Sequence, residues 1–122
     1  MIKMKLLILI LATVAISYQL NGQCQFTPFQ GLNYALITTN ANWNTSNAAC
    51  IACGAQMMGM PSGANQTFVE QTLGANAPAW STAWVNGNSG GWCQFYTFKS
   101  NGKQFFGTNC ESNATYVLCV KQ

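Results

Sequence analysis

Eight side chains carry most of the chemistry this polypeptide could perform: Cys24, Cys50, Cys53, Cys93, Cys110 and Cys119, and the carboxylates of Glu70 and Glu111. The 122-residue sequence has five lysines and no arginine, aspartate or histidine. A Ser-His-Asp or Cys-His relay therefore cannot be assembled within it. A zinc site would have to be built from thiolates, and a calcium cage would lack the carboxylates that normally form one. Catalysis is left with Glu70, Glu111 or a free thiol, so a non-enzymatic role is expected, with no cofactor and no metal. Cys50 and Cys53 stand at the C-x2-C spacing of a redox pair. Six cysteines in so short a chain read instead as a disulfide framework, although spacing alone does not choose among the many pairings.

That reading needs an oxidising compartment, and the first residues supply one. Lys3 and Lys5 precede the apolar run Leu6 to Ile16, the pattern of a secretory signal peptide. The run is well short of the roughly twenty residues that span a bilayer. Residues 1–22 are expected to be the leader, cleaved after Ser17 or nearer Gly22, and residues 23–122 a single secreted, extracellular domain with no membrane span. The domain keeps Lys99, Lys103 and Lys121 against Glu70 and Glu111, a balance of +1. Nucleic acid is excluded as a partner, because phosphate recognition draws on clustered Lys and Arg. Thirteen Asn, with many Thr, Ser and Gln, point to a surface hydrated by neutral groups. The sequons at Asn44, Asn65 and Asn113 fit a glycosylated secreted protein.

The elements that must position these residues follow from local pattern. Leu32 to Thr39 reads as a strand. Asn44 to Cys53 reads as a helix stopped by Gly54, and Ser62 to Leu73 as a second helix, with Phe68, Val69, Thr72 and Leu73 on one face and Gly74 as its stop. Beyond Trp80 the pattern is β. Trp92 to Lys99 alternates, Asn101-Gly102 gives a two-residue hairpin signal, Lys103 to Thr108 returns, and Thr115 to Val120 closes the domain. Helices early and strands late give an α+β class.

Trp43-x6-Cys50-x3-Gly54-Ala55-Gln56-Met57 resembles the first-helix signature of C-type lectin-like domains. Met60-Pro61-Ser62 through Gln66-Thr67-Phe68-Val69-Glu70 is similar to that family's second-helix start. Cys93-x16-Cys110-x8-Cys119, with Tyr116 to Lys121, resembles its C-terminal cysteine pattern and last strand. The likeness runs from about Tyr34 to Lys121. It implies a disulfide-stapled C-type lectin-like fold, two helices on small antiparallel sheets, with Cys50 joined to Cys119 and Cys93 to Cys110. Cys24 and Cys53 are then left to each other.

The family's calcium and sugar motifs are missing. Phe105-Phe106-Gly107 stands where the family has Trp-Asn-Asp, and no Glu, Asp or Pro occurs between Pro78 and Cys110. The core Trp-Ile-Gly motif is replaced by Ala83-Trp84-Val85-Asn86-Gly87, and the loop before Cys93, where the family usually holds its ligand, is short. Trp43 and Trp84 are expected in the core, Glu70 and Glu111 in solvent. Trp80 and Trp92 flank the turn region Asn86 to Gly91. With Asn86 and Asn88 they form the expected ligand site, since a ring face takes a sugar's C–H face and amides both donate to and accept from hydroxyls. The expected role is calcium-independent binding of a glycan or an extracellular protein. The alternative is a surface, matrix or ice-binding protein on the same fold.

Overall fold

The structure, a computed structural model, describes residues 24–103 and 107–122. The leader, and Phe105 and Phe106 of the substituted triplet, lie outside the described residues. In chain order the elements are β1 (Thr27–Phe29), β2 (Leu32–Ala41), α1 (Trp43–Ala52), β3 (Gln56–Met57), α2 (Gly63–Phe68), β4 (Thr82–Ser89), β5 (Trp92–Thr97), β6 (Gly107–Asn109) and β7 (Ala114–Lys121). A π turn, Val69–Leu73, continues α2. The strands form one sheet in the order β1-β2-β7-β4-β5-β6, with β3 also on β7. Pairing is antiparallel except between β4 and β7.

Alternation along the strands divides the core into two layers. Tyr34, Val85, Tyr96, Phe98 and Leu118 point to the layer of α2 and the π turn, where Phe68 and Val69 meet them. Ala35, Ile37, Trp84, Cys93, Val117 and Cys119 point to the other layer, against Cys50 of α1. A strand covered on both faces has no polar side, so Val117-Leu118-Cys119 is an unbroken buried run. Burying each of Val85, Val117 and Leu118 contributes about 1.5–3 kcal/mol. Trp84 is buried and donates from Nε1 to the Ala41 carbonyl (2.9 Å), while the half-buried Trp43 packs against the same layer and donates to the Val85 carbonyl (3.0 Å), so both indoles have their polar atoms satisfied.

α1 starts at Asn42, whose side chain accepts from the Thr45 amide (2.9 Å). It ends before Gly54, whose φ of +69° is the left-handed conformation a helix stop requires. Disulfides join Cys24–Cys53, Cys50–Cys119 and Cys93–Cys110. The C-x2-C pair is thus shared between two bridges.

Three local expectations change. Only Gly90 and Gly91 of the expected turn region are a turn, because Asn86-Gly87-Asn88-Ser89 continues β4 and, past a register shift between Trp84 and Asn88, Asn88 and Ser89 pair with β5. Asn101-Gly102 does turn, closed by the Lys103 amide on the Ser100 carbonyl (3.1 Å), but it follows the end of β5, and of the described residues of the expected return strand Lys103 is outside any strand while Gly107 and Thr108 open β6. The second helix is α-helical only to Phe68.

Candidate functional site

The β4–β5 hairpin sets the geometry. Gly90 and Gly91, with φ of +60° and +83°, make the tight connection, since a primed two-residue turn needs two left-handed residues. Trp92 follows at once, facing Ser89 on one side and Asn109 on the other. The adjoining Cys93–Cys110 disulfide and the Cys110 amide on the Gly91 carbonyl (3.1 Å) fix its backbone. Its indole is 56% exposed. A Cβ at Gly107 would stand 2.2 Å from Trp92 Nε1, so the absent side chain on β6 is what seats the ring. A Cβ at Gly87 would stand 2.5 Å from Gln94 Oε1, so Gln94 is seated in the same way on β4. Trp92 and Gln94 share one face of β5 by alternation, and Asn109, the register partner of Trp92, is exposed beside them.

The expected site residues separate on this frame. Asn88 is the register partner of Cys93 and so belongs to the opposite face from Trp92. Asn86 is exposed, and its amide donates to the Met58 carbonyl (2.7 Å). Trp80 is 49% exposed, but it precedes β4, and its amide donates to the Phe98 carbonyl (2.8 Å). The hairpin runs from Thr82–Thr97 at that end to Ser89–Trp92 at the tip, so the two exposed indoles occupy opposite ends. Gln94 and Asn109 were not among the expected residues; the signal for them was the glycine at 87 and at 107 beside an alternating strand.

Glu70 is not in open solvent as expected. The π turn, closed by the Gly74 amide on the Val69 carbonyl (2.8 Å), brings its half-buried carboxylate to the end of β5. There it accepts from the Tyr96 hydroxyl and from the Lys99 amide (2.5 Å). Burial, and then the hydrogen bond to Glu70, hold the Tyr96 phenol well above the ordinary tyrosine range. Lys99, at φ +50°, donates from Nζ to the carbonyls of Ala75 (3.2 Å) and Ala77 (2.6 Å). These groups wall an open cavity of about 430 Å³.

Glu111 is exposed, and its backbone amide donates to Asn109 Oδ1 (2.9 Å). It therefore lies near the Trp92 end of β5 and Glu70 near the other, on the order of 20 Å apart at strand rise. Two carboxylates so placed cannot share a bond to be cleaved. Nor do they fit a calcium cage, which gathers six to eight oxygens, usually with several carboxylates. Among the described residues no three His, Cys, Asp or Glu side chains gather into a metal-binding group. No helix among those residues is long and apolar enough to cross a membrane.

No family model matches the chain. CD209 antigen-like protein D of Mus musculus is 35% identical over 65 residues, which cover 49% of this chain and 27% of that protein. The chain thus matches about a quarter of its curated relative's length. Among solved structures, EMS16, an antagonist of the collagen receptor integrin α2β1, superposes with a TM-score of 0.63 at 16% identity, covering 78% of this chain and 94% of its own. A Ca2+-dependent type II antifreeze protein in its Ca2+-free form gives 0.58 at 16%, with 80% and 97% covered. The Kupffer cell C-type lectin receptor Clec4f gives 0.56 at 16%, with 92% and 91% covered.

Proposed function

On the C-type lectin-like fold that these neighbours share, we propose that the chain is a secreted, non-catalytic recognition module that binds neutral carbohydrate without calcium. One observation carries the reading: Trp92 presents a half-exposed indole, held by a disulfide on one side and a glycine turn on the other, beside the amides of Gln94 and Asn109. A pre-positioned ring loses little entropy on binding. A ring face and neutral amides suit a ligand with a C–H face and hydroxyls, and a surface with almost no charge gives ions nothing to select. The calcium-free part rests on the donor set, with one carboxylate at each end of β5.

The test is a glycan array run with and without chelator. Binding that survives chelation supports the proposal, and binding abolished by it removes the calcium-free part. A surface or ice-binding role is the second reading, supported by the antifreeze neighbour and the nearly uncharged surface. It gains if every sugar is silent and the protein reshapes growing ice.

A further inference from the structure

The cavity beneath the π turn takes no part in the Trp92 reading, yet it is built from more convergent groups. Its walls are the α2–π face carrying Gln66, Glu70 and Gln71, the Tyr96 hydroxyl, and the turn through Lys99 and Asn101. At about 430 Å³ it falls within the roughly 300–1,000 Å³ span of small-molecule sites.

Its charges are held rather than free. Glu70 takes one hydrogen bond on each carboxylate oxygen, from Tyr96 and from the Lys99 amide. An ionised carboxylate offers about four acceptor positions, so capacity remains. Lys99 Nζ uses two of its three donors on the Ala75 and Ala77 carbonyls. One anion and one cation leave the walls with no net charge, while Gln66, Gln71 and Asn101 add amides that donate and accept. Hydroxyl groups, which do both, match that lining, and a hydroxyl given to Glu70 makes a charge-assisted bond.

The lining is also kept in a costly conformation. Lys99 and Asn101 both hold left-handed φ values, +50° and +55°, and a π turn is itself rare and frequent at functional sites. Such conformations persist where surrounding contacts over-determine them, and Glu70 with the two carbonyl contacts of Lys99 does so here.

We propose that this cavity is a second binding site, for a single neutral, hydroxyl-rich ring of hexose size. It is separate from the Trp92 platform and does not need that platform to bind anything. Tyr96 stands four residues from Trp92 on the same face of β5, which sets the two sites about 13 Å apart at strand rise.

The experiment is a titration of isotope-labelled protein with glucose, mannose and N-acetylglucosamine at millimolar concentration, read from backbone amide NMR signals. The expected result is saturable shifts at Gln66–Gln71 and Lys99–Gly102, unchanged in Trp92→Ala. Gln71→Ala and Asn101→Gly should each weaken binding about three- to tenfold, the loss of one or two hydrogen bonds. Asn101→Gly also relieves the left-handed residue, so it keeps the fold while removing the amide. The proposal is overturned if none of the three sugars shifts these amides, or if both variants bind as the unaltered protein does. Shifts confined to the surroundings of Trp92 would support the platform and overturn the cavity; shifts confined to the cavity would support the cavity and leave the platform to the glycan array.

Discussion

Trp92→Ala tests the platform directly, and its effect can be worked from exposure. A tryptophan side chain offers about 200–250 Å², and with 56% exposed roughly 130 Å² stands in water. A sugar ring covers one face, about half of that. At ~25 cal/mol per Å² the covered area contributes ~1.5 kcal/mol, about tenfold in Kd. Titration calorimetry against the strongest array sugar should show that loss in Trp92→Ala, with thermal stability little changed. Trp80→Ala, an equally exposed indole at the far end of the hairpin, should bind as before. Gly107→Ala reaches the ring without altering it: the new Cβ would lie 2.2 Å from Trp92 Nε1 and 2.8 Å from the Cys93 carbonyl oxygen. It should displace the indole, reproduce the binding loss, and destabilise the sheet edge by about 1–3 kcal/mol. If Trp92→Ala stays within about twofold of the unaltered protein, or Trp80→Ala loses as much, the platform is wrong.

Opening the Cys50–Cys119 bridge, which closes a separation of 69 residues, should cost about 4 kcal/mol by chain entropy, against about 3 kcal/mol for Cys93–Cys110 over 17; urea unfolding of the paired Cys→Ala variants orders the two. The folded Tyr96 phenol titrates above the unfolded tyrosine value of about 10, so its stabilising effect is complete below pH 10 and is lost as pH rises through the folded value. Tyrosinate absorbance and melting followed into alkali should show a late-titrating phenol and a stability decline, and Tyr96→Phe should abolish both. Gly74→Ala would place a Cβ 2.4 Å from Phe98 Cε1 and 3.0 Å from the Val69 carbonyl oxygen, and should destabilise by about 1–3 kcal/mol in the same urea assay. Expressed through a glycosylating secretory pathway, the chain should carry glycan at Asn113, exposed in the turn before β7, while Asn65 is engaged at the start of α2 by the Ser62 amide (2.8 Å); mass mapping of Asn113→Gln decides this.

What the sequence disclosed was what local pattern encodes. The β7 run, the α1 stop at Gly54 and the β5 alternation were each legible because a few neighbouring residues set them, and the cysteine spacing carried the fold through its resemblance. β1 and β3 escaped because strands of three and two residues show no alternation. The segment Asn86 to Ser89 has the composition of a turn and becomes strand only because β5 lies alongside, with Gln94 filling the room above Gly87. That extension also parts Trp80 from Trp92: residues close to one turn in sequence end at opposite ends of the hairpin. Glu70 was the least legible, since its partner Lys99 lies 29 positions away and a π turn brings them together.

The covalent reinforcement is one-sided. Cys50, Cys93, Cys110 and Cys119 are buried in the α1 layer and Cys53 packs against it, whereas the α2 layer is held by packing and hydrogen bonds alone. Native-state hydrogen exchange should therefore be graded across the sheet, with the earliest openings in α2 and the π turn. Gln66, Glu70 and Gln71 of the cavity belong to that unstapled side, whereas Trp92 adjoins the Cys93–Cys110 bridge. The protein is a clamped backplate carrying a compliant front, and local rearrangement falls to the half that no sulfur bond restrains.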